Sequence, residues 1–344
     1  MKYKHLITGG SGFLGNLIAH RLLELGEDVK ILDIWDDHKR SKDIEFINCD
    51  IRNAEGVYKA MKGIDIVHHN VAWVPLTKSL RMFNEVNIEG SKIASEQAVR
   101  AGVNAFIHMS SSAVFGIPKN CPIHSRTPLN PVEIYGKAKL NGELLVRKVC
   151  NKASLPLIVI RPRTILGQGR LGIFQILFEW IKENRNVYTI GEGKGLFQFI
   201  HAHDLLAAYI LALDKEKSGI YNVGASNFGT LRQTLEGIIK YAGSKSKVKS
   251  LPVDLTIGIL KTLDILHLSP LAPWHYMTYH KAFYFDVSPL LKIGWKPQYS
   301  NDDMFRESYD WFLSNYEMHK SLKISSIHRS PVKQGVLNIV KLLS

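Results

Sequence analysis

Apolar and polar positions in the first half of the chain follow two alternating periods. Short apolar runs at residues 5–8, 29–34, 45–48, 64–68, 105–110 and 157–161 predict strands, most of them apolar on both faces. Between them, residues 13–25, 87–101 and 135–149 repeat apolar positions at helical spacing, and Gly26 stands where a helix stops. Strands and helices alternating in this way predict an α/β fold, a doubly wound parallel sheet covered on both faces. From about residue 167 the pattern loosens, leaving a helix at 173–183, a strand at 187–190, a helix at 205–213 and a strand at 220–223. After Ser244 the prolines at 252, 270, 273, 289 and 297 break it up.

Composition narrows the class. With 344 residues, 45% of them hydrophobic and 22% charged, the chain has the make-up of a folded protein rather than a disordered or fibrous one. No apolar stretch reaches the roughly 18 residues that a spanning helix needs, so no integral membrane segment is predicted. The start, Met1 to Thr8, leads straight into glycines without a secretory signal. Cys49, Cys121 and Cys150 are too few and too scattered for a disulfide framework or a zinc site, which fits a cytoplasmic protein.

Charge is the unusual bulk property. Lys and Arg number 44 against 31 acids, a formal net charge of +13. Much of the excess is local, in the acid-free runs 240–249 and 319–344, and reads as a solvated face and a basic tail. No nucleic-acid-binding signature accompanies it. Residues 332–343 have the spacing of a short amphipathic helix, better suited to a docked or frayed tail than to an anchor, although a peripheral membrane contact is compatible with it.

Candidate chemistry begins at Thr8-Gly9-Gly10-Ser11-Gly12-Phe13-Leu14-Gly15, between the first strand and the first helix. Gly9 suits a tight turn, Gly12 a close approach to a pyrophosphate, and Gly15 close packing of helix on sheet. The helix start offers free N–H groups and partial positive charge to phosphates. Asp33 ends the second strand 18 residues after Gly15, placed to bond ribose hydroxyls and to repel a 2′-phosphate. The expected cofactor is therefore NAD rather than NADP.

Tyr135 and Lys139 stand four apart at the start of a helix, on one face, and Ser111 precedes Tyr135 by 24 residues, just after a strand. A phenol near an ammonium can serve as an acid/base, and Lys139 can also hold a nicotinamide ribose. The Ser111 hydroxyl can bind the substrate oxygen. His201-x-His203-Asp204 and His68-His69 are not read as metal ligands, and no metal is expected.

These ordered motifs resemble the extended short-chain dehydrogenase/reductase superfamily, NAD-dependent epimerase/dehydratase family, over residues 3–315; UDP-glucose 4-epimerases and 3β-hydroxysteroid dehydrogenases are both similar. The resemblance places Asp50 and Ile51 at the adenine, and Asn70, Val71 and Ala72 in the D-x-V-x-H-x-A-A segment beside the cofactor. It also gives Asn87 of N-x-x-G-[TS] a role in bracing the sheet near the site. Ser111, Tyr135 and Lys139 fall on the catalytic trio, and Pro162, in the R-P…G-P-G segment, falls near the cofactor. Ser111, Ser112, Thr164 and His201 fall on substrate-facing positions.

Where 4,6-dehydratases carry Asp-Glu after the catalytic Thr, this chain has Ser112-Ala113, so water elimination lacks its groups. The arginine that often precedes F-[IV]-H is absent from Leu196-Phe197-Gln198, and Arg163, Arg170 or Lys194 are candidate substitutes. The resemblance implies an NAD-binding Rossmann domain at 1–166 that regains residues 196–224, a mainly substrate-binding lobe at 167–318, and a tail at 319–344. It implies a homodimer acting on a small secondary alcohol, first a nucleotide sugar. The alternatives are a 3β-hydroxysteroid-type or lipid-alcohol dehydrogenase, and a catalytically silent NAD-binding scaffold.

Overall fold

The computed structural model describes residues 2–37, 40–74, 79–215, 218–266, 268–269, 271–316 and 341. Seven strands form one parallel sheet: β1 (Lys4–Thr8), β2 (Asp28–Asp33), β3 (Glu45–Asn48), β4 (Ile66–His69), β5 (Ala105–Met109), β6 (Leu157–Pro162) and β7 (Gly219–Val223). Their order is β7-β6-β5-β4-β1-β2-β3, so the winding reverses between β1 and β4. That switch point is where open α/β sheets bind ligands, outside the carboxyl ends of the strands. Leu6, Ile7, Val67, Phe106, Ile107, Val159 and Ile160 are buried, which explains why these strands read as apolar runs rather than alternations.

Helices α1 (Phe13–Glu24), α2 (Ala54–Met61), α3 (Gly90–Ala101) and α4 (Ile134–Lys152) belong to this half. On one face α3 packs against both α2 and α4. On the other, α1 meets α6 (Ala202–Lys215), which follows α5 (Phe174–Lys182). Helix α3 is entered through Leu80–Met82 and a π-helical segment, Phe83–Glu89, so the helical stretch starts earlier than residue 87.

The second lobe is built after β6. Val187–Ile190 pairs in parallel with Val248–Leu251, and Ile165–Leu166 with Ile200–His201. Helices α7 (Leu231–Tyr241), α8 (Val253–Ile265) and α9 (Asn301–Ser314) were not read from the sequence. Phe174, Phe178, Phe199, Phe305 and Phe312 pack edge-on or tilted at ring distances of 5.0–6.2 Å and fasten α9 to α5. The chain also returns to the main sheet, where β7 pairs with β6 from Gly219↔Ile158 to Val223↔Pro162. No helix among the described residues is long and apolar enough to cross a membrane. The amphipathic segment 332–343 lies outside the described residues except for Lys341, whose Nζ is 2.7 Å from Glu179 on α5.

Candidate active site

The glycine loop joins β1 to α1 at the switch point. Gly15 cannot carry a side chain, because a Cβ there would lie 2.2 Å from the Gly9 carbonyl oxygen. Helix α1 starts at Gly12 with no side-chain cap and no acid in its first turn, so its first N–H groups remain available to an anion. Ser11 N–H donates to Asp33 Oδ2 at 3.1 Å, which fixes the carboxylate beside the loop. Burial raises the Asp33 pKa, against bonds from Ile34, Ser11 and Trp35. Ser11 Oγ and Asn70 Oδ1 are buried without hydrogen-bond partners on either side of this loop. Free helix N–H groups, a ribose-range carboxylate and two orphaned polar atoms fit a dinucleotide.

The wall opposite comes from the segment after β4. Asn70 N–H donates to Thr8 O at 3.1 Å, so Asn70, Val71 and Ala72 run beside the glycine loop. Asn87 holds that run by both polar groups of one residue: Trp73 N–H donates to Asn87 Oδ1 at 2.7 Å, and Asn87 Nδ2 donates to Trp73 O at 3.0 Å. The π-helical turn carries Asn87 into this position, in line with the frequency of such turns at functional sites.

Tyr135 lies in the first turn of α4. Glu133 caps this helix, its carboxylate accepting from Tyr135 N–H at 2.7 Å and Gly136 N–H at 2.6 Å. At Gly136 a Cβ would stand 2.7 Å from the Ala113 carbonyl, so only glycine lets α4 lie against the Ser111–Phe115 turn. Ser111 Oγ accepts from Ala113 N–H at 3.2 Å, and the Ser111 hydroxyl acts on the Tyr135 phenol to lower its pKa. The Phe83 ring meets the Tyr135 ring edge-on at 6.1 Å. Ser111 and Tyr135 are thus brought together by backbone contacts far from either side chain.

Lys139 is buried beneath them, and its Nζ donates to Met109 O at 2.5 Å. Desolvation pushes its pKa down to about 8, although Glu143 pulls it up. Burial and, less, Glu133 raise the Tyr135 pKa, while Ser111 and Arg170 draw it down. The guanidinium of Arg170 also lies 5.4 Å from the Phe13 ring centroid, so one cation meets both the glycine loop and Tyr135.

Asp50 ends the β3 connection, but its carboxylate is bound by Arg52, which lowers its pKa. Ile51 is buried under Gly90. Thr164 O accepts from Ile200 N–H at 3.1 Å, and Pro162 closes β6. The His201 ring is fully buried, stacked on Tyr299 at 3.6 Å, with Nε2 2.7 Å from Glu307 on α9. It is turned into the second lobe. Among the described residues no group of three His, Cys, Asp or Glu is arranged to hold a metal.

Sequence reasoning missed three groups. Glu133 carried a signal, an acid directly before a helix. Glu143 and Ser110 form a buried network with Arg161, and His5, His68 and Tyr209 form a buried chain with links of 2.8 and 2.6 Å. Arg163, a candidate substitute charge in the sequence, has surroundings that come from segments distant in the chain.

The model of the NAD dependent epimerase/dehydratase family matches residues 5–224, and the chain belongs to that family. It is an NAD-dependent enzyme of the extended short-chain dehydrogenase/reductase type. Over 97% of its length it is 39% identical to an uncharacterized protein, y4nG, of Sinorhizobium fredii, covering 85% of that protein. It is 25% identical to the UDP-glucose 4-epimerase of Lactobacillus helveticus, over 91% of this chain and 98% of that one. The UDP-glucuronic acid 4-epimerase of Bacillus cereus, solved in complex with NAD, superposes with a TM-score of 0.74 at 21% identity, covering 91% and 99% of the two chains.

Proposed function

We propose that the protein is a nucleotide-sugar epimerase that oxidises a secondary alcohol and reduces it again from the opposite face. The observation that carries this reading is the fate of the carboxylates around the trio. Glu133 is spent on the N–H groups of α4, and Glu143 on Arg161 and Ser110. Positions 112 and 113, next to the catalytic serine, are Ser and Ala, both buried. Among these described residues around the trio, no acid is left to expel water from a sugar, so proton exchange at one alcohol is the chemistry these residues support.

Tyr135 takes the alcohol proton, and Ser111 holds the same oxygen by a hydrogen bond as charge develops on it. Lys139 lies under the cleft as a cation that favours the phenolate and holds the cofactor ribose. NAD, when bound, supplies the hydride acceptor and the hydride donor. Asp33 would select NAD over NADP. Gly9, Gly12, Phe13, Leu14 and Gly15 would hold the pyrophosphate, with Asp50, Ile51, Asn70, Val71, Ala72 and Pro162 around the rest. Ser112, Thr164 and His201 would border the substrate. A homodimer through α3 and α4, where Val99 and Leu144 are exposed, and a cytoplasmic location complete the reading.

An epimerase regenerates its cofactor each cycle, so the test omits added NAD. Purified protein is incubated with UDP- and GDP-sugars and epimers are followed by chromatography. Epimer formation supports the reading. No turnover on any of them, with NADH appearing from a hydroxysteroid or another lipid alcohol, overturns it.

A further inference from the structure

Arg163 follows β6 and points into the interior, with 1% of its surface exposed. Its guanidinium is boxed by the rings of Phe283, Phe197 and Phe285, at 4.0, 4.8 and 5.9 Å. Nε donates to Gln198 O at 2.8 Å and Nη1 to Ser112 Oγ at 3.3 Å, while Nη2 has no partner. Among the described residues no carboxylate faces it: the neighbours that favour its charge are Tyr279 and Cys121, and burial pushes its pKa down to about 9. A buried cation without a counter-ion is costly, and an apolar side chain of similar volume in an aromatic box is often as stable or more so. Stability does not account for this residue.

Its chemistry does. A guanidinium has donors only, so Ser112 Oγ is the acceptor in their bond and its proton is turned away from Arg163. Among the described residues no acceptor takes that proton. Ser112 adjoins Ser111, whose hydroxyl lowers the pKa of the Tyr135 phenol. We propose that Arg163 is a positioning residue that commits the Ser112 hydroxyl to donate to a substrate oxygen beside the reacting carbon. The subsite so formed prefers an oxygen that only accepts, a keto or carboxylate oxygen, over a hydroxyl. This rests on the alcohol-oxidation reading but not on which alcohol is oxidised.

The test compares Arg163→Met, Ser112→Ala, the double variant and Ser112→Thr in the full chain, using whichever alcohol, sugar or lipid, the unaltered protein turns over. Arg163→Met is expected to keep or raise Tm and to bind NAD within about 2-fold, while kcat/KM falls about 10- to 100-fold. Ser112→Ala should lose a similar factor, the double variant no more than either alone, and Ser112→Thr should recover most of the loss. The proposal is overturned if Arg163→Met lowers Tm along with activity, or if the two losses multiply in the double variant. Tm needs no substrate, so a wrong substrate class and a wrong role for Arg163 give different results.

Discussion

Glu143 and Arg161 hold each other inside the protein, one on α4 and the other on β6, with side chains 0% and 1% exposed. Arg161 Nε donates to Glu143 Oε2 at 2.9 Å and Nη2 to Oε1. Ser110, the residue before Ser111, donates to Oε2 at 2.7 Å. The pair therefore ties helix α4, the loop after β5 and the sheet together. Removing one charge leaves the other buried and alone. Glu143→Gln should cost about 3–5 kcal/mol of unfolding free energy, measured by urea denaturation; a loss below about 1 kcal/mol would show that the pair is not needed.

Tyr135→Phe removes the proton carrier and little else, since the phenol ring still packs on Phe83. Turnover should fall by about 100-fold or more while NAD affinity stays within a few-fold. Near-normal turnover in this variant would exclude the tyrosine as acid/base.

Asp33→Ser deletes the carboxylate fixed by Ser11 and Ile34. The ratio of NAD to NADP affinity should drop by about 10-fold or more, because the charge that repels a 2′-phosphate is gone. Fluorescence titration of both nucleotides measures it, and an unchanged ratio would refute the assignment.

Acid should destabilise the fold early. Burial lowers the pKa values of His68 and His108 well below 6.5 and that of His69 to about 3. The unfolded chain binds these protons near pH 6.5 and the folded one does not, so their stabilising contribution is complete above pH 6.5 and is lost as pH falls toward 3. The slope reaches about 1.4 kcal/mol per pH unit for each histidine. His108 has no partner on either nitrogen, so His108→Phe should make the loss of Tm between pH 6.5 and 4.5 shallower. An identical slope would mean that His108 does not contribute.

Legibility followed the range of the forces involved. Strands buried on both faces, the glycine loop and the Ser-Tyr-Lys trio are local patterns, and all were visible in the sequence. The start of the third helix was not: the sequence pattern begins at Asn87 but the helical stretch begins at Leu80, because the π-helical turn Phe83–Glu89 breaks the 3.6-residue period that reveals a helix. Helices α7 and α9 did carry signals, the capping boxes Thr230–Gln233 and Ser300–Asp303, and before α9 the prolines at 289 and 297 obscured the order. Arg163 was legible as a candidate charge, but its environment had no local signal. Its aromatic box is assembled from residues 34 to 122 positions further along the chain, and only the folded chain shows that its charge is unmatched.

The return of the chain to the sheet has a practical meaning for engineering. Strand β7 is the neighbour of β6, and Arg163 N–H donates to Val223 O at 2.8 Å, so the strand that leads into the second lobe is stitched to one made after part of that lobe. The lobes are woven, not strung. A cut near residue 166 would leave β6 as a raw edge, and a lobe transplanted from a relative has to bring β7 and its register with it.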